Sequence, residues 1–174
     1  LKSVHALAFN SSKGPIPVKK VVVGYDFNGL MINFQGTIEE VVILNTVTRI
    51  HDKAFEYGTN LRNVTICNGV ETIGKSAFSN CYSLVDVEIP SNVKVINEYA
   101  FDNCNGLKTV HLNDGIEKIY NAAFRNDSLL GSVVIPFTVD SVGMDIFENC
   151  TSLESVSFNG KLRYISNSMF KNCS

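Results

Sequence analysis

Three histidines, five cysteines and scattered carboxylates and hydroxyls are the side chains of this sequence with catalytic or ligating chemistry. His111 has the most suggestive company. About 23 positions away stand Asp86, Glu88, Ser132 and Val134, with Thr109 just before His111 on the same strand, and a chain that coils with that period brings them beside it. An imidazole, a hydroxyl and a carboxylate are the parts of an acyl-transfer triad, in which a base takes the nucleophile's proton and a third group orients the base. Such a triad also needs a pocket and donors for the oxyanion, and a flat exposed strand face supplies neither. The sequence is therefore expected not to be an enzyme. His51, followed by Asp52, reads as an exposed turn residue. His5, His51 and His111 fall in no H-E-x-x-H or other metal spacing.

Other ligand motifs are also incomplete. No cysteine pair is spaced C-x₂₋₄-C, so a zinc site is not expected. GYDFNG at 24–29 lacks the Lys-Ser or Lys-Thr of a phosphate loop. Asp26 and Asn28 before Gly29 resemble the start of a calcium loop whose remaining ligands are missing. No cofactor is expected. Asn10, Asn63, Asn126, Asn149 and Asn172 begin N-x-S/T triplets, which matter in a eukaryotic secretory setting. Asn149 and Asn172 directly precede cysteines and are poor acceptors.

The elements that position these groups come from a repeat. Phe55, Phe78, Phe101, Phe124, Phe147 and Phe170 are each 23 residues apart, and two more steps back reach Ile32 and Phe9. With the phenylalanine as position 0, further apolar columns keep phase. Position −8 holds Leu1, Val47, Val70, Val93, Ile116, Val139 and Leu162, and −5 holds Val4, Phe27, Ile50, Ile73, Ile96, Ile119, Val142 and Ile165. Position −1 holds Ala8, Met31, Ala54, Ala77, Ala100, Ala123, Ile146 and Met169. Leucine or isoleucine fills +6 from Ile38 to Leu153. Valine fills +9, from Val18 and Val41 to Val156, and apolar residues fill +11 from Ile43 to Phe158. Self-similarity at this period is the mark of a leucine-rich-repeat solenoid.

Each unit is expected to hold three pieces. Positions +7 to +11, such as VDVEI at 85–89, alternate like a half-buried strand, and Pro90 and Pro136 stand where it should end. The V-x-x-I segment, such as VKVI at 93–96, is a second short strand, and Gly74, Asn97 or Gly143 then turns the chain. The A-F-x-x-C segment is expected to be one helical or 3₁₀ turn. One unit cannot bury its apolar edge alone. Stacked units can, with strands about 4.8 Å apart. Residues 47–174 are regular, while 1–46 read as degenerate or terminal repeats of the same single domain.

Four cysteines, Cys81, Cys104, Cys150 and Cys173, fall at +3, where Ser12, Gln35, Gly58 and Asp127 stand in other units. The position takes small or polar groups, and in a stacked coil such a column satisfies loop backbone. A bridge between neighbours, Cys81–Cys104 or Cys150–Cys173, fits the Cα spacing. Parallel side chains in a ladder favour free thiols instead.

Bulk composition excludes two partner classes. Fifteen basic and seventeen acidic residues give a net charge of −2, which is not the charge of a nucleic-acid binder. No run of about 18 apolar residues exists, so no membrane insertion is expected. The sequence opens at Leu1 without a methionine or signal peptide and stops at Ser174 inside a unit, so it reads as a piece of a longer protein. It is read as a monomer.

The pattern C-x-x-L-x-x-V-x-I-P-x-x-V-x-x-I-G-x-x-A-F resembles the BspA-like, or Treponema pallidum-type, leucine-rich repeats. CYSLVDVEIPSNVKVINEYAF at 81–101 matches it nearly symbol for symbol, with Asn97 in the glycine position. The resemblance implies a right-handed solenoid with a parallel sheet along one face. It also implies a cell-surface or secreted setting and an adhesin-like role toward host or microbial proteins or glycans. It carries over no catalytic or ligand-binding residue.

Solenoids bind through exposed strand faces. The +8 and +10 columns point out of the sheet, and the candidate face is Asn63, Thr65, Asp86, Glu88, Thr109, His111, Ser132, Val134, Ser155 and Ser157. It is small and polar, with an acidic patch at Asp86 and Glu88. The expected function is a non-enzymatic interaction module. A targeting arm or rigid spacer for a catalytic domain elsewhere is the alternative.

Overall fold

The computed structural model describes residues 19–25, 37–160, 162, 164–166 and 168–173. Leu1, Val4, His5, Ala8, Phe9, Asn10, Ser12, Val18, Asp26, Phe27, Asn28, Gly29, Met31, Ile32 and Gln35 lie outside them. Among the described residues, twelve strands follow one another: β1 (Lys20–Val23), β2 (Glu40–Ile43), β3 (Arg49–Ile50), β4 (Asn63–Ile66), β5 (Thr72–Ile73), β6 (Asp86–Ile89), β7 (Val95–Ile96), β8 (Thr109–Leu112), β9 (Lys118–Ile119), β10 (Ser132–Ile135), β11 (Ser141–Val142) and β12 (Ser155–Phe158).

The four-residue strands stack in parallel along one face, in the order β1-β2-β4-β6-β8, with β10-β12 continuing as a separate pair. The two-residue strands form a second parallel sheet, β11-β9-β7-β5-β3. Residues 23 apart pair, as in Val41↔Val64, Val87↔Val110 and Ile73↔Ile96. Alternation therefore sends the same column inward in every coil, and Val87, Ile89, Ile73 and Ile96 are fully buried. The architecture is the expected leucine-rich-repeat solenoid.

The first step departs from the period. β1 pairs with β2 as Val21↔Val41, a spacing of 20. Val21 occupies the inward valine column there. The β1–β2 register is three residues shorter than the period, and strand pairing rather than the sequence period sets it.

The A-F-x-x-C segment is not the expected helical or 3₁₀ turn. Among the described residues no helix forms; each segment is a run of β-turns. In the Phe55 coil, Ala54 N–H donates to the His51 carbonyl (3.2 Å), Glu56 to Lys53 (3.2 Å) and Gly58 to Phe55 (3.0 Å). Positive φ at positions −2 and +2 stops the turns from running on as a helix: Ser76 (53°) and Asn80 (63°), Tyr99 (58°) and Asn103 (64°).

This turn forms the third face, and it too is laddered. Phe55 N–H donates to the Ala77 carbonyl (2.7 Å), Phe78 to Ala100 (2.7 Å), Phe101 to Ala123 (2.8 Å), Phe124 to Ile146 (3.1 Å) and Phe147 to Met169 (3.0 Å). Two parallel files begin where Lys53 N–H donates to the Lys75 carbonyl and Tyr57 N–H to the Ser79 carbonyl. In all three, every N–H points to the following coil. The phenylalanine rings stack inside, with centroids 5.2, 5.1, 5.4, 6.0 and 6.0 Å apart from Phe55 to Phe170.

Candidate interaction face

The outward positions of the four-residue strands are the +8 and +10 columns, because the inward +9 and +11 columns carry the apolar side chains. All ten candidate residues, Asn63, Thr65, Asp86, Glu88, Thr109, His111, Ser132, Val134, Ser155 and Ser157, are exposed. They form two groups. Asn63 pairs with Asp86, Asp86 with Thr109 and Glu88 with His111, so six of them lie on the five-stranded sheet. Ser132 pairs with Ser155 and Val134 with Ser157 on the two-stranded sheet. β8 and β10 are neighbours without a paired register between the groups.

The polar groups on this face contact one another sparsely. Asn113 donates to Glu88 Oε1 (3.2 Å), and Ser155 Oγ donates to Ser132 Oγ (3.1 Å). Lys20 pairs with Glu40 (2.7 Å) and Lys19 with Glu39 (2.9 Å) at the low-numbered end. Val134 is the apolar exception, 51 % exposed. His111 and Glu88 are cross-strand neighbours, and both are exposed. Among the described residues, no group of three or more His, Cys, Asp or Glu is placed to hold a metal ion.

The cysteines are free thiols. Each one at +3 donates its S–H to the phenylalanine carbonyl of the preceding coil: Cys81 to Phe55 (3.3 Å), Cys104 to Phe78 (3.2 Å), Cys150 to Phe124 (3.1 Å) and Cys173 to Phe147 (3.0 Å). That bond aims the sulfur at backbone rather than at the neighbouring sulfur. Burial pushes the Cys104 and Cys150 thiols well above their ordinary range, so they are poor nucleophiles.

A second ladder on the turn face had a legible signal in the sequence, the asparagines at +2. Asn103 Nδ2 donates to Asn80 Oδ1 (2.6 Å), Asn149 to Asn126 (2.7 Å) and Asn172 to Asn149 (2.7 Å). Three of the N-x-S/T triplets therefore begin with an amide already engaged, whereas Asn63 stands on the exposed sheet face. Nearby, Arg125 pairs with Asp102 (2.9 Å), which raises its pKa, and its guanidinium lies 5.1 Å from the Tyr99 ring centre.

Comparison with known proteins fits this geometry. The model of the BspA type leucine-rich repeat region matches residues 33–150 and 117–174, in six copies. The chain belongs to the BspA-type leucine-rich repeat family. Its fold is similar to that of a T. pallidum leucine-rich repeat protein (23 % identity, TM-score 0.64, covering 68 % of this chain and 69 % of that one). It is also similar to the pneumococcal vaccine antigen PcpA (24 %, 0.67, covering 82 % and 36 %). A leucine-rich cell surface protein of Faecalibacterium prausnitzii A2-165 is 26 % identical, with a TM-score of 0.58, over 87 % of this chain and 46 % of that one. No curated protein matches the chain. The BspA-type chain thus spans less than half the length of two of these relatives. Membership of this repeat family is consistent with a protein-interaction module. Among the described residues, no helix is long and apolar enough to cross a membrane.

Proposed function

We propose that this chain is a non-enzymatic interaction module of an adhesin-like surface or secreted protein, and that it binds an extracellular protein or glycan through its long sheet face. One observation carries the reading: six outward polar side chains, from Asn63 to His111, stand exposed on one parallel sheet. Such a face offers many weak contacts to an extended partner. The cell-surface description of the Faecalibacterium relative supports the setting.

Asp86 and Glu88 supply the one concentrated charge on the face, so a partner that uses it presents cations or hydroxyls there. The test is a binding screen of this chain against extracellular-matrix proteins, mucins and glycans. It is repeated with Asp86→Lys and Glu88→Lys together. A saturable hit weakened at least about tenfold by the reversal is expected, since a lost charged contact is worth on the order of 1.4 kcal/mol or more. Binding that survives the reversal moves the site off this face.

A second reading, a targeting arm or rigid spacer, draws on a different observation. The sequence has no tryptophan, and its exposed aromatics, such as Tyr82, Tyr120 and Phe137, stand off the candidate columns. Tight interfaces rest on such anchors. Failure to bind anything in the screen favours this reading.

A further inference from the structure

Asp127 stands in the +3 column, between Cys104 and Cys150 in the stack, and is fully buried. Its Oδ1 accepts the Cys104 backbone N–H (2.8 Å), while its Oδ2 has no hydrogen-bond partner. Cysteines in this column donate to the phenylalanine carbonyl 26 residues earlier. For Asp127 that carbonyl belongs to Phe101. A carboxylate has nothing to donate to it; a neutral carboxyl has one O–H. With a single N–H donor and an unpartnered Oδ2, the buried position suits the protonated acid.

The groups around it do not favour a charge. On the preceding coil stand the neutral Cys104 thiol and the Asp102 carboxylate, and on the following coil the Cys150 thiol. Arg125, two residues away, is turned to Asp102 (2.9 Å). Burial raises the Asp127 pKa well above its ordinary value, Asp102 adds to the rise, and the Cys104 N–H opposes it.

The same coil boundary is where other ladders lapse. β8 ends the five-stranded sheet and β10 begins the next, with Gly131 N–H to the Lys108 carbonyl (3.2 Å) between the strand margins. The asparagine column also skips: Asn126 donates to Asp102 (3.1 Å), not to Asn103. The second sheet runs on unbroken, with Val95↔Lys118 paired, and so does the turn face, with Phe101 N–H on the Ala123 carbonyl (2.8 Å).

We propose that Asp127 makes the boundary between the Phe101 and Phe124 coils a proton-controlled seam. With the carboxyl neutral, the seam stays dry and β8 and β10 remain packed side by side without a paired register. With the carboxylate formed, water enters between β8 and β10, and the face parts there while the other two faces hold. The candidate face then splits into its five-stranded and two-stranded portions.

The sign follows from linkage. The folded chain holds the proton more tightly than the unfolded chain, which releases it near the ordinary aspartate value of 3.8. Stability from this group is therefore present below that pH and lost as pH rises toward the raised folded value. The experiment is urea unfolding of the full chain between pH 4 and 8, alongside Asp127→Asn and Asp127→Cys. The native folding constant is expected to fall by up to about tenfold per pH unit more than that of either variant. In native exchange experiments, amide protection at Gly131 and Val133 should fall before that at Gly143. Equal pH slopes in the native chain and the Asp127→Asn variant would overturn the proposal. If neither variant folds, carboxyl NMR of the native chain decides: Asp127 titrating with exposed aspartates overturns it, and Asp127 staying protonated beyond them supports it.

Discussion

A thiol is a weak hydrogen-bond donor, yet four coils use one to reach the phenylalanine carbonyl of the coil before. Cys150 shows what that contact is worth. Its S–H serves the Phe124 carbonyl (3.1 Å) deep in the stack. Cys150→Ser keeps a donor of similar size and should cost under about 1 kcal/mol. Cys150→Val leaves the carbonyl without it and should cost about 1–3 kcal/mol. Chemical denaturation of the two variants distinguishes them; equal losses would mean that only volume matters there. The small and polar tolerance of this column was legible from Gly58, Asp127 and the cysteines themselves. The recipient was not, because a backbone carbonyl 26 residues away leaves no mark on the sequence. Nor did composition reveal that Asp127 would be, among the described residues, the one carboxyl sealed inside.

Strands were legible at the level of the element because their inward columns must be apolar, and Val87, Ile89 and Ile96 announce them. The turn was not, for a physical reason. A 3₁₀ turn and a chain of β-turns share the same three-residue hydrogen-bond spacing, and they differ in the sign of φ at two positions. Asparagine at +2 is a signal for positive φ, since its side chain tolerates that conformation. Lys53, Tyr99 and Ala122 at −2 give no such signal, although they adopt it too. Asn103 serves both the strained backbone and the amide ladder. Asn103→Gly relieves the backbone but drops the ladder, while Asn103→Ala loses both. The alanine variant should be the less stable by about 1–2 kcal/mol, as read from thermal unfolding midpoints. A glycine variant no better than alanine would mean that the ladder, not φ, governs the turn.

For the whole molecule, position in the stack decides what a residue is worth. Phe101 is fully buried between two rings, whereas Phe170 has one ring neighbour among the described residues and is 38 % exposed. Phe101→Ala should cost about 3–5 kcal/mol, and Phe170→Ala distinctly less. Urea unfolding measures both, and equal costs would mean that the coils do not stabilise one another as neighbours. The 23-residue period foretold this stack, but not the 20-residue first step at Val21↔Val41, where pairing overrode the count.

The one-way hydrogen bonding of the turn face has an electrical consequence. A peptide unit carries a dipole along its C=O and N–H, and units joined head to tail add theirs, as they do in an α-helix. Here the files run across coils instead of along one helix, from Lys53, Phe55 and Tyr57 onward, with every N–H pointing toward higher residue numbers. The turn side of the solenoid is therefore polarised along its length, negative toward the Phe55 coil and positive toward the Phe147 coil. Two such sides laid against each other lie lowest in energy when they run in opposite directions, and added salt weakens that preference.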